Sequence, residues 1–261
     1  MKTSTLVIMK MSFLLLLVLF TKPSHSQVDT LRKTIRYFSG NLSITNNGIS
    51  VIPTFTLGKP AGIFNIALGN NRLSFEPELR FSLEGKPWSI LLWWRYKIAN
   101  GNRFKFNMGA HPALVFRTTS TVTNGIQTNT IEAQRFLAAE LSPNYFLTKN
   151  ISIGLYYLYG HGIDDGSTKN THFINFTSSF NNIKLTKQVL MRFSPQIYYL
   201  KMDKNDGVFF SSMLTLADKR FPFSISGFIN KVIQTNISAS QNFVWNTTLT
   251  YSFQHSYLKQ R

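Results

Sequence analysis

Apolar and polar side chains alternate one by one along most of this 261-residue chain. In the stretch RLSFEPELRFSL, Phe75 and Leu79 fall on one face of an extended strand, and Glu76 and Glu78 fall on the other. Successive side chains of a strand point to opposite faces, so the pattern predicts strands with one apolar and one polar face. The alternation recurs in RFKFNMGAHPALVF and FVWNTTLTYSF, and no window has a sustained helical period. The pattern predicts an all-β fold.

The alternating segments divide the chain into about twelve predicted strands. Their approximate ranges are 48–57, 62–69, 72–83, 87–98, 103–117, 130–147, 151–162, 170–181, 188–201, 207–217, 222–232 and 242–254. No linker or change of composition separates them, so we predict one domain over residues 27–261. An even strand count puts both ends of the sheet on one side, together with tight turns such as GNN and TKN. The opposite side receives longer polar segments such as TTSTVTNGIQTNT.

Residues 1–26 have the features of a secretory signal peptide. Two lysines precede the apolar run MSFLLLLVLF, and Ser24 and Ser26 are the small residues before a predicted cleavage site at Gln27. The run is too short to cross a bilayer as a helix. An uncleaved amphipathic anchor is the alternative. The chain has no Cys, so we expect the exported protein to be stabilised by core burial or by a membrane rather than by disulfides.

The chain is strongly basic. Without residues 1–26, 25 of its 28 Lys and Arg residues remain, against 11 Asp and Glu. They are scattered singly instead of forming a stripe, and the chain is predicted to be exported, so we expect no nucleic-acid partner. The charge suits an anionic partner such as lipopolysaccharide phosphate or an acidic solute. Basic residues that only solvate strand ends and turns are the simpler alternative.

Alternation alone does not say which face lies inside, so a soluble β-sandwich or ligand-binding barrel competes with a transmembrane barrel. The 23 Phe, 10 Tyr and 4 Trp residues are more aromatic surface than a soluble exterior carries. Several fall near predicted strand ends, where the aromatic girdles of membrane barrels form: Trp88, Tyr96, Tyr157, Tyr159, Tyr199 and Tyr251. We therefore predict an antiparallel transmembrane β-barrel of about 12 strands, with short periplasmic turns and longer extracellular loops.

The leader ending in SHSQ, the alternating aromatic strands and the terminal WNTTLTYSF resemble those of Gram-negative outer-membrane β-barrel proteins of the Bacteroidota type. The resemblance implies a location in the cell outer membrane and contact with membrane lipids and lipopolysaccharide. It also implies folding by the barrel-assembly machinery, for which the final strand is the signal. The chain departs from the commonest pattern because it ends in the polar segment QHSYLKQR instead of an aromatic residue.

In such a barrel the polar strand faces would line the interior. The predicted lumen-lining residues are Glu76, Glu78, Arg80, Arg95, Lys105 and His111. A two-residue turn at residues 85–86 would pair Glu76 with Arg95. A three-residue connection at residues 99–101 would then place Arg95 opposite Lys105. Such a row would form either a salt-bridged plug or a water-filled passage. In a passage, its net positive charge would favour anions.

A passive, porin-like channel for small solutes, anions among them, is the function that this pattern favours. An outer-membrane hydrolase of lipid or lipid A and a structural envelope component are the alternatives. The hydrolase candidates are His161 or His172 with Ser167, and Asp164 and Asp165 are also of metal-ligand type. These residues lack a tight ligand spacing, and Asp-Asp-Gly is an ordinary turn. We therefore predict no catalytic residue, no metal site and no cofactor.

Overall fold

The computed structural model describes residues 34–123, 126–238 and 240–259, where twelve antiparallel strands close into a barrel. Their bounds are β1 Thr34–Thr45, β2 Ala61–Gly69, β3 Leu73–Ser82, β4 Pro87–Asn100, β5 Phe104–Thr123, β6 Ile126–Phe146, β7 Ile151–Gly162, β8 Asn170–Lys184, β9 Val189–Met202, β10 Asn205–Asp218, β11 Phe223–Thr235 and β12 Phe243–Lys259. Each strand pairs with its neighbours in sequence, and β1 pairs with β12. The predicted twelve-stranded antiparallel barrel is confirmed. The predicted signal peptide, residues 1–26, lies outside the described residues.

The first strand was predicted in the wrong place. Residues 48–57 form no strand, and the strand that closes the barrel is β1, Thr34–Thr45. The mispredicted stretch contains a 3-10 helix at Pro53–Phe55 and lies inside the barrel, where its apolar side chains pack against the wall. Alternating apolar residues are compatible with either outcome. In the three described ranges, no helix is both long and apolar enough to span a bilayer.

The two faces of the wall differ in polarity. On β8, Thr171, Phe173 and Asn175 are buried inside, whereas Ile174 and Phe176 on the outer face are 41% and 48% exposed. Large apolar side chains with exposures of this size occur on every strand from β1 to β12. A barrel without a lipid environment would leave this belt in water.

The strand ends define two rims. The terminal rim carries the start of β1, the end of β12 and the connections 70–72, 101–103, 147–150, 185–188 and 219–222. The loop rim carries the connections 46–60, 83–86, 163–169, 203–204 and 236–242. On the same rim, β5 and β6 extend beyond their other neighbours as a two-stranded arm. The terminal rim thus has only turns of three or four residues, as predicted, and the connections of seven residues or more all lie on the loop rim.

Candidate functional site

An ion-pair network around Arg95 occupies the middle of the barrel interior. Arg95 donates from Nε to Glu140 Oε1 at 2.6 Å and from a terminal nitrogen to Glu76 Oε2 at 2.5 Å. The Tyr156 hydroxyl donates to Glu140 Oε2 at 2.6 Å. The Glu140 side chain is 3% exposed, and those of Arg95 and Glu76 are 30% and 27% exposed. One guanidinium thus pairs with both carboxylates in a setting partly shielded from water, and the three side chains together keep a net charge of −1.

Gly109 makes room for this network. Arg95 on β4 and Glu140 on β6 are separated by β5, and Gly109 is the β5 partner of both residues. A Cβ at residue 109 would lie 2.9 Å from Glu140 Oε1 and 3.1 Å from Arg95 Cγ. The missing side chain lets the ion pair pass over the intervening strand.

The other charged residues near the centre are also paired or stacked. Glu78 accepts from Arg80 on the same strand. The Arg95 guanidinium lies 4.3 Å from the centre of the Trp93 ring, which packs against His111 with 3.8 Å between ring centres and a tilt of 41° between the ring planes. His111 is 7% exposed. Together with the Arg95 network, these groups form a layer of charged and aromatic side chains across the interior.

The predicted row Glu76, Arg95, Lys105 is wrong in register. Glu76 pairs with Trp93, and Arg95 pairs with Ser74. The β3–β4 connection spans residues 83–86 instead of two residues, and a register shift follows at Arg80/Phe81. The bond from Arg95 to Glu76 therefore runs diagonally between neighbouring strands.

A second bulge moves Lys105 away from Arg95. The β4–β5 register shifts between Lys97 and Ala99, so Arg95 faces Gly109 and Lys105 faces Asn100 near the terminal rim. There the Lys105 Nζ lies 5.0 Å from the centre of the Phe146 ring. Bulges insert single residues that hydrophobic alternation does not reveal, and each one shifts the pairing of a whole strand. The second partner of Arg95 is thus a carboxylate, Glu140, where a cation was predicted.

Residues 46–60, which we call the inner segment, close the interior on the loop-rim side. The main-chain carbonyls of residues 51–55 accept side-chain hydrogen bonds from three wall strands: Phe55 O from Trp88 Nε1 at 2.7 Å, Thr54 O from Arg117 at 3.4 Å, and Val51 O from Tyr198 at 3.5 Å. Ile52 packs on the buried cluster that contains Phe173, Tyr198, Leu200 and Phe209. Phe55 packs edge-on against Phe136 at 5.0 Å.

Trp88 was predicted on the outer face, in an aromatic girdle, and this prediction is wrong. Its side chain is 2% exposed and donates to the inner segment. The register shift at Arg80/Phe81 puts Trp88 opposite the irregularity, so that Trp88 and its neighbour Ser89 are both buried. Tyr96 and Tyr251 are exposed on the outer face, at 38% and 40%.

Two cavities lie on opposite sides of the charged layer. A polar cavity of about 560 Å³ on the terminal-rim side is lined by Asn41, Asn65 and Glu76 among others. A more apolar cavity of about 280 Å³ lies between the charged layer and the inner segment. Arg95 and Trp93 line both. A solute that enters at the terminal rim therefore meets first the charged layer and then the inner segment.

The wall near the terminal rim carries unpaired cations. Lys97, Lys105 and Arg192 lie on the inner face of β4, β5 and β9. None of the three forms an ion pair with a carboxylate whose side chain the structure describes. The central layer is different, because Arg80 and Arg95 there are matched by carboxylates.

The histidines and the serine considered for a hydrolase do not come together. The Ser167 hydroxyl donates to Asp164 O at 2.6 Å, and His172 Nδ1 bonds with the Tyr157 hydroxyl at 2.9 Å on the outer face. His161 is exposed on the outer face of β7. Within residues 34–123, 126–238 and 240–259, no group of three His, Asp or Glu side chains could hold a metal ion.

Asp164 has a structural partner instead. The Arg135 side chain donates to its carboxylate at 2.9 Å, and the Arg135 main-chain N–H donates at 2.6 Å. These bonds hold the pKa of the Asp164 carboxyl below its usual range. Asp165 lies 3.8 Å from Lys169 and is otherwise exposed. The loop 163–169 is thus tied to the base of the β5–β6 arm.

Sequence comparison finds no match to this chain among protein-family models or curated proteins. Solved structures of similar fold include the KdgM porin in complex with disordered oligogalacturonate, with 10% identity and a TM-score of 0.51 over 83% of this chain and 99% of that chain. The KdgM porin alone gives 11% identity and a TM-score of 0.51 over 82% and 99%. LpxR from Salmonella typhimurium gives 9% identity and a TM-score of 0.49 over 82% and 100%. The likeness to the KdgM porin concerns the fold, a closed antiparallel barrel found in Gram-negative outer-membrane proteins.

Sequence reasoning missed Glu140, Tyr156 and the inner segment. Glu140 is the one carboxylate in the apolar stretch RFLAAELSP, and that isolation was an available signal. Tyr156 has no comparable signal, because an aromatic residue in an alternating strand is equally compatible with a position facing lipid. The inner segment has none either, because its apolar residues alternate as they would in a strand.

Proposed function

We propose that this chain is an outer-membrane β-barrel channel for small anionic solutes, whose passage the inner segment narrows. The observation that carries the proposal is the sidedness of the closed wall, which is apolar outside and charged inside. A wall of this kind suits a bilayer outside and a hydrated path inside. The KdgM porin, which shares the fold, supports the channel interpretation by analogy.

The membrane location follows from the outer surface. Side chains such as Ile44, Trp94, Leu137 and Trp245 are each about half exposed, at 52%, 52%, 52% and 53%. Contiguous apolar surface of this extent requires a partner, and a bilayer covers a barrel on all sides. Export through a signal peptide at residues 1–26, assembly of residues 27–261 by the barrel-assembly machinery and an origin of the Bacteroidota type belong to the same proposal.

The preference for anionic solutes is inferred from the charges at the terminal-rim mouth of the barrel and not from those at its centre. The central layer contains two cations, Arg80 and Arg95, against three carboxylates, so its net charge does not favour anions. Lys97, Lys105 and Arg192 lie on the inner face of the wall near the terminal rim, and they have no carboxylate partner in the described part of the chain. Cations at a narrow entrance concentrate anions and repel cations.

The inner segment limits the flow of ions and solutes through the barrel. Three wall side chains hold the main chain of residues 51–55, two of them at 3.4 Å or longer, so displacement of this part of the segment breaks few strong hydrogen bonds to the wall. Its apolar contacts through Ile52 and Phe55 are the larger restraint. We therefore expect a small conductance with the segment in place and a larger one without it.

Conductance in a planar bilayer tests the channel and the role of the inner segment. Thr45 pairs with Ala61, so a two-residue Asn-Gly turn can replace residues 46–60 without breaking the hairpin. We expect this variant to conduct several-fold more than the wild type. A well-folded variant that conducts no ions would rule out the channel.

Reversal potentials under a salt gradient test the solute class. The variant with Lys97→Glu, Lys105→Glu and Arg192→Glu should shift from anion toward cation preference. The control carries Lys59→Glu, Lys86→Glu and Lys204→Glu on the loop rim, with the same charge change. Lys97, Lys105 and Arg192 are called the mouth cations below. Equal shifts of the reversal potential in the two variants would mean that the mouth cations have no special role.

A further inference from the structure

Every connection on the terminal rim carries at least one basic residue. These residues, which we call the terminal cations, are Arg72, Arg103, Lys149, Lys187, Lys219 and Arg220. Within the described ranges, the five connections contain no acidic residue, and Asp218 at the end of β10 is bonded to Arg220. The loop rim differs, because its connections mix Lys59, Lys86, Lys169 and Lys204 with Glu84, Asp164, Asp165 and Asp203.

The terminal cations lie beside exposed apolar side chains. Three of the same turns contain Leu147, Leu185 and Phe221, which are 56%, 51% and 59% exposed. Cations next to exposed apolar groups are typical of segments at a lipid interface, where the apolar group enters the boundary and the charge meets the head groups.

An aromatic belt lies on the outer face of the barrel next to the terminal cations, which form a ring around the terminal rim. Outward-facing aromatic residues near this rim are Tyr96, Phe104, Tyr145, Phe223 and Tyr251, with exposures from 38% to 49%. Arg72 donates to the Tyr96 hydroxyl at 3.3 Å, which joins the cation of one turn to the belt. Aromatic belts mark the level of the head groups, so the cations beyond the belt lie at the level of the lipid phosphates.

We propose that the terminal cations bind the phosphate groups of an anionic phospholipid leaflet around the barrel. The proposal rests on the membrane location in the proposed function. The ring is distinct from the mouth cations that would attract solute, because it lies in the turns, next to Leu147, Leu185 and Phe221, and not on the inner wall. Each basic residue close to an anionic surface favours association roughly fivefold.

Two tryptophans on the outer face allow each rim to be observed separately. Trp94 pairs with Phe75, close to the turn of Arg72 at the terminal rim, and Trp245 lies near the start of β12 at the loop rim. Their exposures are 52% and 53%. The other two tryptophans, Trp88 and Trp93, are 2% and 6% exposed and contribute an unquenched background. Trp245→Phe leaves Trp94 as the reporter, and Trp94→Phe leaves Trp245.

The test measures quenching of each reporter by phosphatidylglycerol and phosphatidylcholine with brominated acyl chains, in vesicles that contain the full-length folded protein. At Trp94 we expect a preference for phosphatidylglycerol of about fivefold, as one nearby cation gives. At Trp245 we expect little preference. Salt at about 0.5 M should largely remove the preference at Trp94, since screening shortens the reach of surface charges to a few ångströms.

A charge-neutral variant tests the ring itself in the Trp245→Phe background. It carries Arg72→Gln, Arg103→Gln, Lys149→Gln, Lys187→Gln and Lys219→Gln, and it should lose the preference at Trp94. The matched control carries Lys59→Gln, Lys86→Gln, Lys201→Gln, Lys204→Gln and Lys231→Gln near the loop rim, and it should keep the preference.

Several results would overturn the inference. These are equal preferences at Trp94 and Trp245, a preference that survives high salt, or an equal loss in both variants. If the ring variant does not fold, the comparison of the two reporters and the salt series in otherwise unmodified protein still decide. Failure of the membrane location itself is distinguishable, because the protein would then show no heat-modifiable gel migration and neither lipid would quench Trp94.

Discussion

The Arg95–Glu140 pair tells whether the centre of the barrel is dry or hydrated. Two unit charges about 4 Å apart attract by roughly 4 kcal/mol at an effective dielectric constant of 20, and by about 1 kcal/mol in water. Glu140 is 3% exposed and Arg95 30%, so the pair lies nearer the first limit. After a discount for the exposure of Arg95, we expect a coupling free energy of about 2–3 kcal/mol.

A double-mutant cycle measures this coupling. Arg95→Met, Glu140→Gln and the double variant are unfolded with denaturant in lipid vesicles, and the coupling is the non-additive part of their free energies of unfolding. The control pair is Lys59 with Glu84, 3.4 Å apart and 56% and 55% exposed, for which we expect less than about 1 kcal/mol.

The expected result would mean that the charged layer excludes most water while the inner segment is in place. A coupling for Arg95–Glu140 as small as that of the control pair would refute this reasoning. It would mean that water screens the layer and that the path through the centre is already open. Repeating the cycle without residues 46–60 should lower the coupling if the inner segment keeps the centre dry.

The other predictions concern single positions. Gly109→Ala should destabilise the barrel by about 1–3 kcal/mol, since its Cβ would press on Glu140 Oε1, whereas Ala110→Val on the outer face should be nearly neutral in the same unfolding assay. Leu249→Asp should cost on the order of 2 kcal/mol on the lipid face and reduce the heat-modifiable barrel in outer membranes, whereas Thr248→Asp on the inner face should assemble. The pKa of Asp164 is lowered in the folded protein, so its bonds to Arg135 stabilise the loop fully above the unfolded pKa of about 3.9 and are lost as pH falls through the folded pKa. The protection of residues 163–169 against hydrogen exchange, relative to the unfolded chain at the same pH, should therefore stay constant from pH 7 to 4 and fall below pH 4. Exchange already fast at pH 5 would contradict this assignment.

The strand pattern and the sidedness of the wall could be predicted from the sequence alone. Side-chain direction in a strand depends only on its parity, so residues such as Leu79 and Glu78 are assigned to opposite faces without knowledge of their partners. The even number of strands likewise determined that the start of β1 and the end of β12 lie on the same rim. These properties are local or follow from counting, which is why they were confirmed.

Register and the contents of the interior required the tertiary structure. The bulges at Arg80/Phe81 and Lys97/Ala99 replaced the predicted neighbour Lys105 of Arg95 with Glu140, although Arg95 and Lys105 lie on the inner face as predicted. Residues 48–57 alternate like a strand, yet Ile52 and Phe55 pack against the inside of the wall, because β1 already closes the barrel. Alternation specifies that a side chain needs an apolar neighbour, and only the closed barrel decides whether lipid, the wall or the inner segment provides it.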